Sequence, residues 1–162
     1  MGDFIYAFGE SEMGPVRVLV VDDHEIFRKG IHSLLSAAPG LVVCGEAASG
    51  LEAVEKAKEF SPDVVIMDIS MQGISGLDAT RLIRTEVPQS KIIILSQHDS
   101  PQMLSTAIKV GASAFVTKSQ AARSLLLAID AVMKGQPFDW RPEGTSQETE
   151  LLKDEPKSKP CD

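Results

Sequence analysis

Short runs of apolar residues alternate with amphipathic segments along most of this chain. Five runs are rich in β-branched residues and have the length of strands; they cover 16–23, 41–47, 63–68, 91–96 and 112–118. Each run is followed by a segment in which apolar positions recur every three or four residues, and these segments cover 24–40, 50–60, 75–87, 100–111 and 119–135. The pattern predicts five strands, each followed by a helix.

Helix-ending residues delimit the amphipathic segments. The first segment stops at Pro39 and Gly40, and the third stops before Pro88. The last helix is predicted to have caps at Ser119 and Gly135. The inward face predicted for the first helix comprises Ile26, Phe27, Gly30, Ile31, Leu34 and Leu35.

This order of elements predicts an α/β fold with a five-stranded parallel sheet, doubly wound as (βα)5 in three layers. The runs "VLVV", "VVIM" and "IIIL" are apolar throughout, as is typical of parallel strands covered by helices on both faces. In open sheets of this kind, ligands bind beyond the carboxyl ends of the strands. The residues at those ends are therefore the first candidates for a functional site.

The predicted folded unit covers residues 16 to 138. Residues 1 to 15 have no regular pattern and are expected to form a flexible leader. Residues 139 to 162 are polar, charged and contain proline, so we expect a disordered tail or a truncated linker there.

Composition narrows the range of functions. The 162 residues carry a net charge of -7, which argues against direct binding to nucleic acid by this chain. Cys44 lies in an apolar run and Cys161 in the polar tail, so no disulfide is expected between them. The sequence contains no signal peptide pattern and no apolar run long enough to span a membrane, and a cytoplasmic location is expected.

Polar residues follow four of the predicted strands at the edge where they would converge. They are Asp22 and Asp23 after the first strand, Asp68 after the third, Ser96 after the fourth and Lys118 after the fifth. Three neighbouring carboxylates stay ionised together only when a cation lies among them. Because oxygen ligands without cysteine or histidine favour Mg²⁺, the cluster predicts a magnesium site.

The same cluster predicts phosphoryl chemistry. An ionised Asp68 could attack phosphorus and form an aspartyl phosphate, while the metal ion and Lys118 neutralise the transferred charge. Each residue alone has a simpler explanation: Asp22 and Asp23 as a helix cap, Asp68 in an Asx turn, Ser96 as a cap, and Lys118 as a solvated side chain. The occurrence of all of them at successive strand ends favours the chemical interpretation.

Four stretches of the sequence resemble the receiver domain of bacterial two-component response regulators. They are "VLVVDDHEIFRKG", "VVIMDISMQGISGLDATRLIR", "IIILSQHD" and "AFVTKS", and the resemblance covers residues 16 to 138. The group that the sequence is most similar to is the NarL/LuxR group, in which "VDDH" is typical. The resemblance implies a flavodoxin-like, CheY-like fold.

The resemblance also implies a role for each site residue. Asp68 would be the phosphoacceptor, and Mg²⁺ would be held by Asp22, Asp23, Asp68 and the backbone carbonyl of Ser70. Lys118 would pair with the phosphoryl group, Ser96 would be the hydroxyl switch, and Phe115 would be the aromatic switch that turns inward. His24 would have a structural or supporting role rather than take part in phosphotransfer. The chain would not be an enzyme beyond weak self-dephosphorylation.

Two positions depart from the family pattern. Gln72 stands where the family usually has proline. Proline would stiffen the turn after Asp68, so its absence loosens this turn. Gln97 follows Ser96 where a small or apolar residue is usual, and its amide could crowd or contact a phosphoryl group. Both substitutions bear on the lifetime of the phosphorylated state.

The expected partner is a sensor histidine kinase or a phosphotransfer protein, with output and a homodimer through the fourth helix, fifth strand and fifth helix. The alternative is a receiver fragment of a NarL/LuxR-type transcriptional regulator whose DNA-binding domain is missing. A haloacid-dehalogenase-type phosphatase is disfavoured, because Ser70 stands where that family has a second aspartate. A flavodoxin-like cofactor binder is disfavoured by "DDHE" after the first strand, and a receiver without phosphorylation by the intact Asp68 and Lys118.

Overall fold

The computed structural model describes residues 14 to 136 and residue 138. The predicted leader and tail lie almost wholly outside these residues. Five strands and five helices alternate, with one 3₁₀ turn before the last helix: β1 Val16–Val21, α1 Glu25–Ser36, β2 Leu41–Ala47, α2 Gly50–Phe60, β3 Val64–Asp68, α3 Gly76–Glu86, β4 Lys91–Ser96, α4 Pro101–Lys109, β5 Ala114–Thr117, the turn Lys118–Gln120 and α5 Ala121–Met133.

The strands form one parallel sheet in the order β2-β1-β3-β4-β5. The chain reverses direction along the sheet after β2, which places the switch point between β1 and β3. The register aligns Asp68 with Leu95 and Ser96 with Thr117, so the carboxyl ends of β3, β4 and β5 lie side by side. The predicted α/β fold is confirmed.

Alternate residues of the central strands enter two separate cores. Val18, Val20 and Ile66 pack on one face against α1 and α5, where the buried side chains include Ile31, Leu35, Leu125 and Ile129. Leu19, Val65, Met67 and Ile94 pack on the other face against α2, α3 and α4. The sheet is thus buried on both faces, which explains why its strands are apolar throughout.

Serine side chains cap three of the helices. Ser49, Ser75 and Ser100 accept hydrogen bonds from the backbone N–H groups three residues ahead, at the starts of α2, α3 and α4. The predicted cap at Ser119 is wrong, because this residue lies in the 3₁₀ turn and α5 begins after Gln120 without a side-chain cap. Gly135 does lie just beyond α5, with a φ of 67°.

The predicted inward face of α1 needs one correction. Ile31 and Leu35 are buried, but Ile26 is 89% exposed and Gly30 is also exposed. At 100° per residue, Ile26 and Gly30 lie to one side of the stripe that Phe27, Ile31 and Leu35 form. Apolar character alone therefore overestimated the width of the buried face.

Candidate functional site

The acidic cluster lies at the carboxyl edge of the sheet, where β1 and β3 meet. Asp22 follows β1 directly, and Asp68 is the last residue of β3; each is 1% exposed. Asp23 points to the same place from the turn before α1, with 27% of its side chain exposed. The structure thus brings together the three carboxylates that the sequence singled out.

Lys118 is the cation that faces these carboxylates. Its Nζ lies 2.8 Å from Asp22 Oδ2 and 3.3 Å from Asp68 Oδ2, and its side chain is 10% exposed. The Phe27 ring covers it from the other side, with the centroid 4.6 Å from Nζ. Sequence reasoning predicted the pairing with Asp68 but missed the shorter one with Asp22, and it assigned Phe27 only to the core.

His24 follows Asp22 and Asp23 in the turn between β1 and α1, which is called the acidic turn below. Its Nδ1 lies 3.0 Å from Asp23 Oδ1 and 3.4 Å from Asp22 Oδ1, and its backbone N–H donates to Asp22 Oδ1 at 2.8 Å. Helix α1 begins after His24 without a side-chain cap. The simpler explanation of Asp22 and Asp23 as the cap of α1 is therefore wrong, because the Asp22 carboxylate bonds within the turn that precedes the helix.

The carboxylate oxygens fit a divalent cation. One ligand atom from each of Asp22, Asp23, His24 and Asp68 lies within 4.8 Å of all the others. Asp22 Oδ2, Asp23 Oδ1 and Asp68 Oδ2 are buried; Lys118 Nζ faces the first and the third of them, and His24 Nδ1 faces the second. Three carboxylates outnumber the single lysine, and oxygen donors with excess negative charge suit Mg²⁺.

Asp68 shows the electrostatic cost of this arrangement. Burial of the carboxyl group, together with the negative charge of Asp22, raises the pKa of Asp68 to about 6, although the ammonium of Lys118 opposes the rise. The ionised form of Asp68 is therefore destabilised in the folded protein without metal. A bound cation would remove this penalty by favouring the carboxylate.

We expect Asp68→Asn to stabilise the metal-free protein at pH 7.5 by up to about 3 kcal/mol, since each pKa unit corresponds to about 1.4 kcal/mol. The folded-state pKa of Asp68 lies above that of the unfolded chain, so the loss of stability grows as the pH rises above about 4 and is complete somewhat above pH 6. Below about pH 4 the carboxyl group is protonated in both states and the difference should vanish. Urea unfolding in EDTA at both pH values measures this, with the exposed Asp99→Asn as control. Equal stabilisation at both pH values would contradict the expectation.

The two predicted switch residues lie on neighbouring strands, Ser96 at the end of β4 and Phe115 within β5. Ser96 is buried, and its Oγ accepts a hydrogen bond from the His98 N–H at 3.1 Å, which is the bond that a turn-capping serine makes. Phe115 is 1% exposed and belongs to the core between the sheet and α2, α3 and α4. An inward turn of Phe115 would therefore have to start from a conformation other than this one.

The loop after β3 approaches α3 very closely. Gly76, the first residue of α3, donates its N–H to the Ile69 carbonyl at 3.0 Å. A Cβ at Gly76 would lie 1.9 Å from the carbonyl oxygen of Asp68, so only glycine fits. The Ser70 N–H faces Asp68 Oδ1 at 3.4 Å, while Gln72 and Gln97 are exposed. Sequence reasoning did not identify Gly76.

Together, the switch point and the acidic pocket define a doubly wound α/β protein of the flavodoxin-like class, with carboxylates where cofactor-binding members carry a phosphate loop. The family model "Response regulator receiver domain" matches residues 18–130. The chain belongs to this family, and it is the receiver domain of a two-component response regulator.

Similar proteins are regulators of the LuxR/NarL type. The chain is 40% identical over 122 residues to the transcriptional regulatory protein LiaR of Bacillus subtilis, covering 75% of this chain and 58% of that protein. It is 39% identical over 123 residues to the response regulator GacA of Pseudomonas viridiflava, covering 76% and 58%. The chain thus spans 58% of the length of these two relatives.

Solved structures of receivers have the same fold. A LuxR-family response regulator from Aurantimonas sp. SI85-9A1 has a TM-score of 0.79 and 34% identity, over 86% of this chain and 99% of that one. The response regulator domain of CheB from Thermotoga maritima has a TM-score of 0.70 and 34% identity, over 76% and 99%. Among the residues described here, no helix has the length and apolar character that crossing a membrane requires.

Proposed function

We propose that Asp68 is the residue that accepts the phosphoryl group, delivered by a histidine kinase or a phosphotransfer protein. The observation that carries this proposal is the buried carboxylate of Asp68, which lies at the carboxyl edge of the sheet beside Asp22 and faces Lys118 Nζ at 3.3 Å. A carboxylate oxygen of Asp68 attacks phosphorus, the bond to the leaving group breaks, and the leaving group keeps the electron pair. The carboxylate needs no general base, because the reaction requires only its ionised form.

Magnesium would be held by Asp22, Asp23, Asp68 and the carbonyl of Ser70, and when bound it neutralises charge on the transferred group. Lys118 stands where its ammonium can move from Asp22 and Asp68 to a phosphoryl oxygen. The hydroxyl of Ser96, at the end of the neighbouring strand, would contact the same group after leaving the His98 N–H.

Output would run through the face formed by α4, β5 and α5, where Ser96 and Phe115 form the two-state element. We propose that this face also supports a homodimer of the phosphorylated protein. The receiver unit would extend over residues 16 to 138 and act in the cytoplasm. Its catalytic activity would be limited to slow self-dephosphorylation, since Ser70 replaces the second aspartate of a haloacid-dehalogenase-type phosphatase.

The test is incubation with acetyl phosphate and Mg²⁺, followed by intact-mass measurement. We expect the mass of one phosphoryl group to be added in Mg²⁺ and not in EDTA. Borohydride reduction and peptide mapping should place the modification at Asp68. Modification at Asp22 or Asp23, or equal modification in EDTA, would contradict the proposal.

A further inference from the structure

Arg28 of α1 reaches the acidic turn from outside the cluster of ligands. Its Nη1 donates to the backbone carbonyl oxygen of Asp22 at 2.6 Å. Its Nε donates to Glu46 Oε1 on β2 at 3.2 Å, and its side chain is only 18% exposed. Arg28 therefore joins the backbone of the acidic turn to the neighbouring strand, and it forms no ion pair with the three carboxylates of the site.

The carbonyl that Arg28 binds belongs to Asp22, whose N–H and side chain also form hydrogen bonds that hold the turn. The Asp22 N–H donates to the Ala47 carbonyl at 3.0 Å, and Asp22 Oδ1 accepts the His24 N–H at 2.8 Å. Asp22 Oδ2 faces Lys118, and the carbonyl oxygen of this buried residue accepts its hydrogen bond from Arg28. The direction of this carbonyl sets the peptide plane between Asp22 and Asp23, and so contributes to how the two side chains leave the backbone relative to each other.

Glu46 holds Arg28 in this orientation. It lies opposite Val20 in the parallel register of β1 and β2, close to the end of β1. Its second carboxylate oxygen faces His32 Nδ1 at 3.1 Å, and its backbone carbonyl accepts a hydrogen bond from Lys56 Nζ of α2. A planar guanidinium can donate in two directions at once, which a lysine ammonium on a flexible stem does less well.

We propose that Arg28, oriented by Glu46, is a positioning residue that fixes the turn of Asp22 and Asp23 in the geometry that binds Mg²⁺. This inference rests on the proposed function, because it concerns the same metal site. A positioning role and a purely electrostatic role of Arg28 predict opposite changes in Mg²⁺ affinity when Arg28 is replaced. Removal of a positive charge close to three carboxylates would, by Coulomb's law alone, strengthen the binding of a cation, whereas loss of positioning weakens it.

The direction of the change in Mg²⁺ affinity can be measured by titrating Arg28→Met and the control Lys29→Met with MgCl₂ in a calorimeter. Both substitutions remove one positive charge from α1, but the Lys29 side chain is exposed and pairs with the exposed Glu25 at 2.9 Å. We expect Arg28→Met to weaken Mg²⁺ binding about tenfold, as is typical of residues that support metal ligands. Lys29→Met should leave it unchanged or strengthen it slightly. An affinity in Arg28→Met equal to that of Lys29→Met would overturn the inference.

Two further variants keep the test valid if Arg28→Met folds poorly. Arg28→Lys retains the charge and Glu46→Gln retains an acceptor, and both should weaken Mg²⁺ binding, though less than Arg28→Met. In the Arg28→Met background, Glu46→Gln should have no further effect, because it acts through Arg28. A full additional loss in the double variant would show that Glu46 acts independently, which contradicts the proposal.

A measurement without metal separates this inference from the proposed function. The His24 N–H is held by Asp22 Oδ1, so its hydrogen exchange in EDTA reports directly on the order of the turn. We expect faster exchange in Arg28→Met and unchanged exchange in Lys29→Met. If the parent protein binds no Mg²⁺, the proposed function fails, and the exchange rates still decide the role of Arg28.

Discussion

Asp68→Asn should reduce phosphorylation of the protein by acetyl phosphate to the level seen without donor. The amide oxygen of asparagine is a far weaker nucleophile than a carboxylate, and its attack on phosphorus would give an O-phosphoryl imidate rather than an acyl phosphate. The substitution keeps the shape of the side chain and retains the ion pair of Lys118 with Asp22. The substitution also removes one proposed ligand of Mg²⁺, so the loss is measured by intact mass over a time course at saturating Mg²⁺, where it should reflect the missing nucleophile.

The stability of Asp68→Asn shows whether its loss of phosphorylation could be due to unfolding. Because the ionised Asp68 is destabilised by burial and by Asp22, the asparagine variant is expected to be more stable than the parent at neutral pH. Inactivity in a protein of higher stability cannot be attributed to unfolding. Asp99→Asn, an exposed carboxylate beyond β4, serves as the matched control and should be phosphorylated at the parental rate. A normal mass shift in Asp68→Asn would reject Asp68 as the acceptor.

Gly76→Ala should destabilise the protein by about 3 kcal/mol, because overpacking of a rigid site strains the backbone. The added Cβ would lie 1.9 Å from the Asp68 carbonyl oxygen, 2.8 Å from its carbonyl carbon and 2.9 Å from Ile69 Cα. All three atoms belong to the backbone, so no side chain can move aside to make room. The strain would act directly on the backbone of Asp68, so phosphorylation of its side chain should also become slower.

Helix propensity predicts the opposite result for Gly76→Ala, since alanine is favoured over glycine within a helix by about 1 kcal/mol. Gly30→Ala in α1 is the matched control, because a Cβ at Gly30 meets no atom within 4 Å. Urea unfolding should show that Gly30→Ala is stabilising by up to about 1 kcal/mol while Gly76→Ala is destabilising. Equal gains in both variants would mean that the loop after β3 yields easily.

Local patterns explain why most of the fold was predictable. The apolar runs and the helix-ending residues are properties of short segments, and the structure places all five strands and five helices where they were expected. Errors arose where a local pattern was compatible with more than one arrangement. Ile26 is apolar but projects outside the buried stripe of α1, and Ser119 is a good capping residue but lies in a 3₁₀ turn.

The sequence by itself determined the alternation of strands and helices, the parallel sheet, and the presence of polar residues at its carboxyl edge. These follow from the periodicity of neighbouring residues and from the rule that parallel strands end on the same side. Only the tertiary structure decided that Lys118 pairs with Asp22 as well as Asp68, that Arg28 supports the Asp22 carbonyl, and that Gly76 must lack a side chain. Such contacts join residues far apart in the chain, and packing and side-chain rotamers decide them rather than any local pattern.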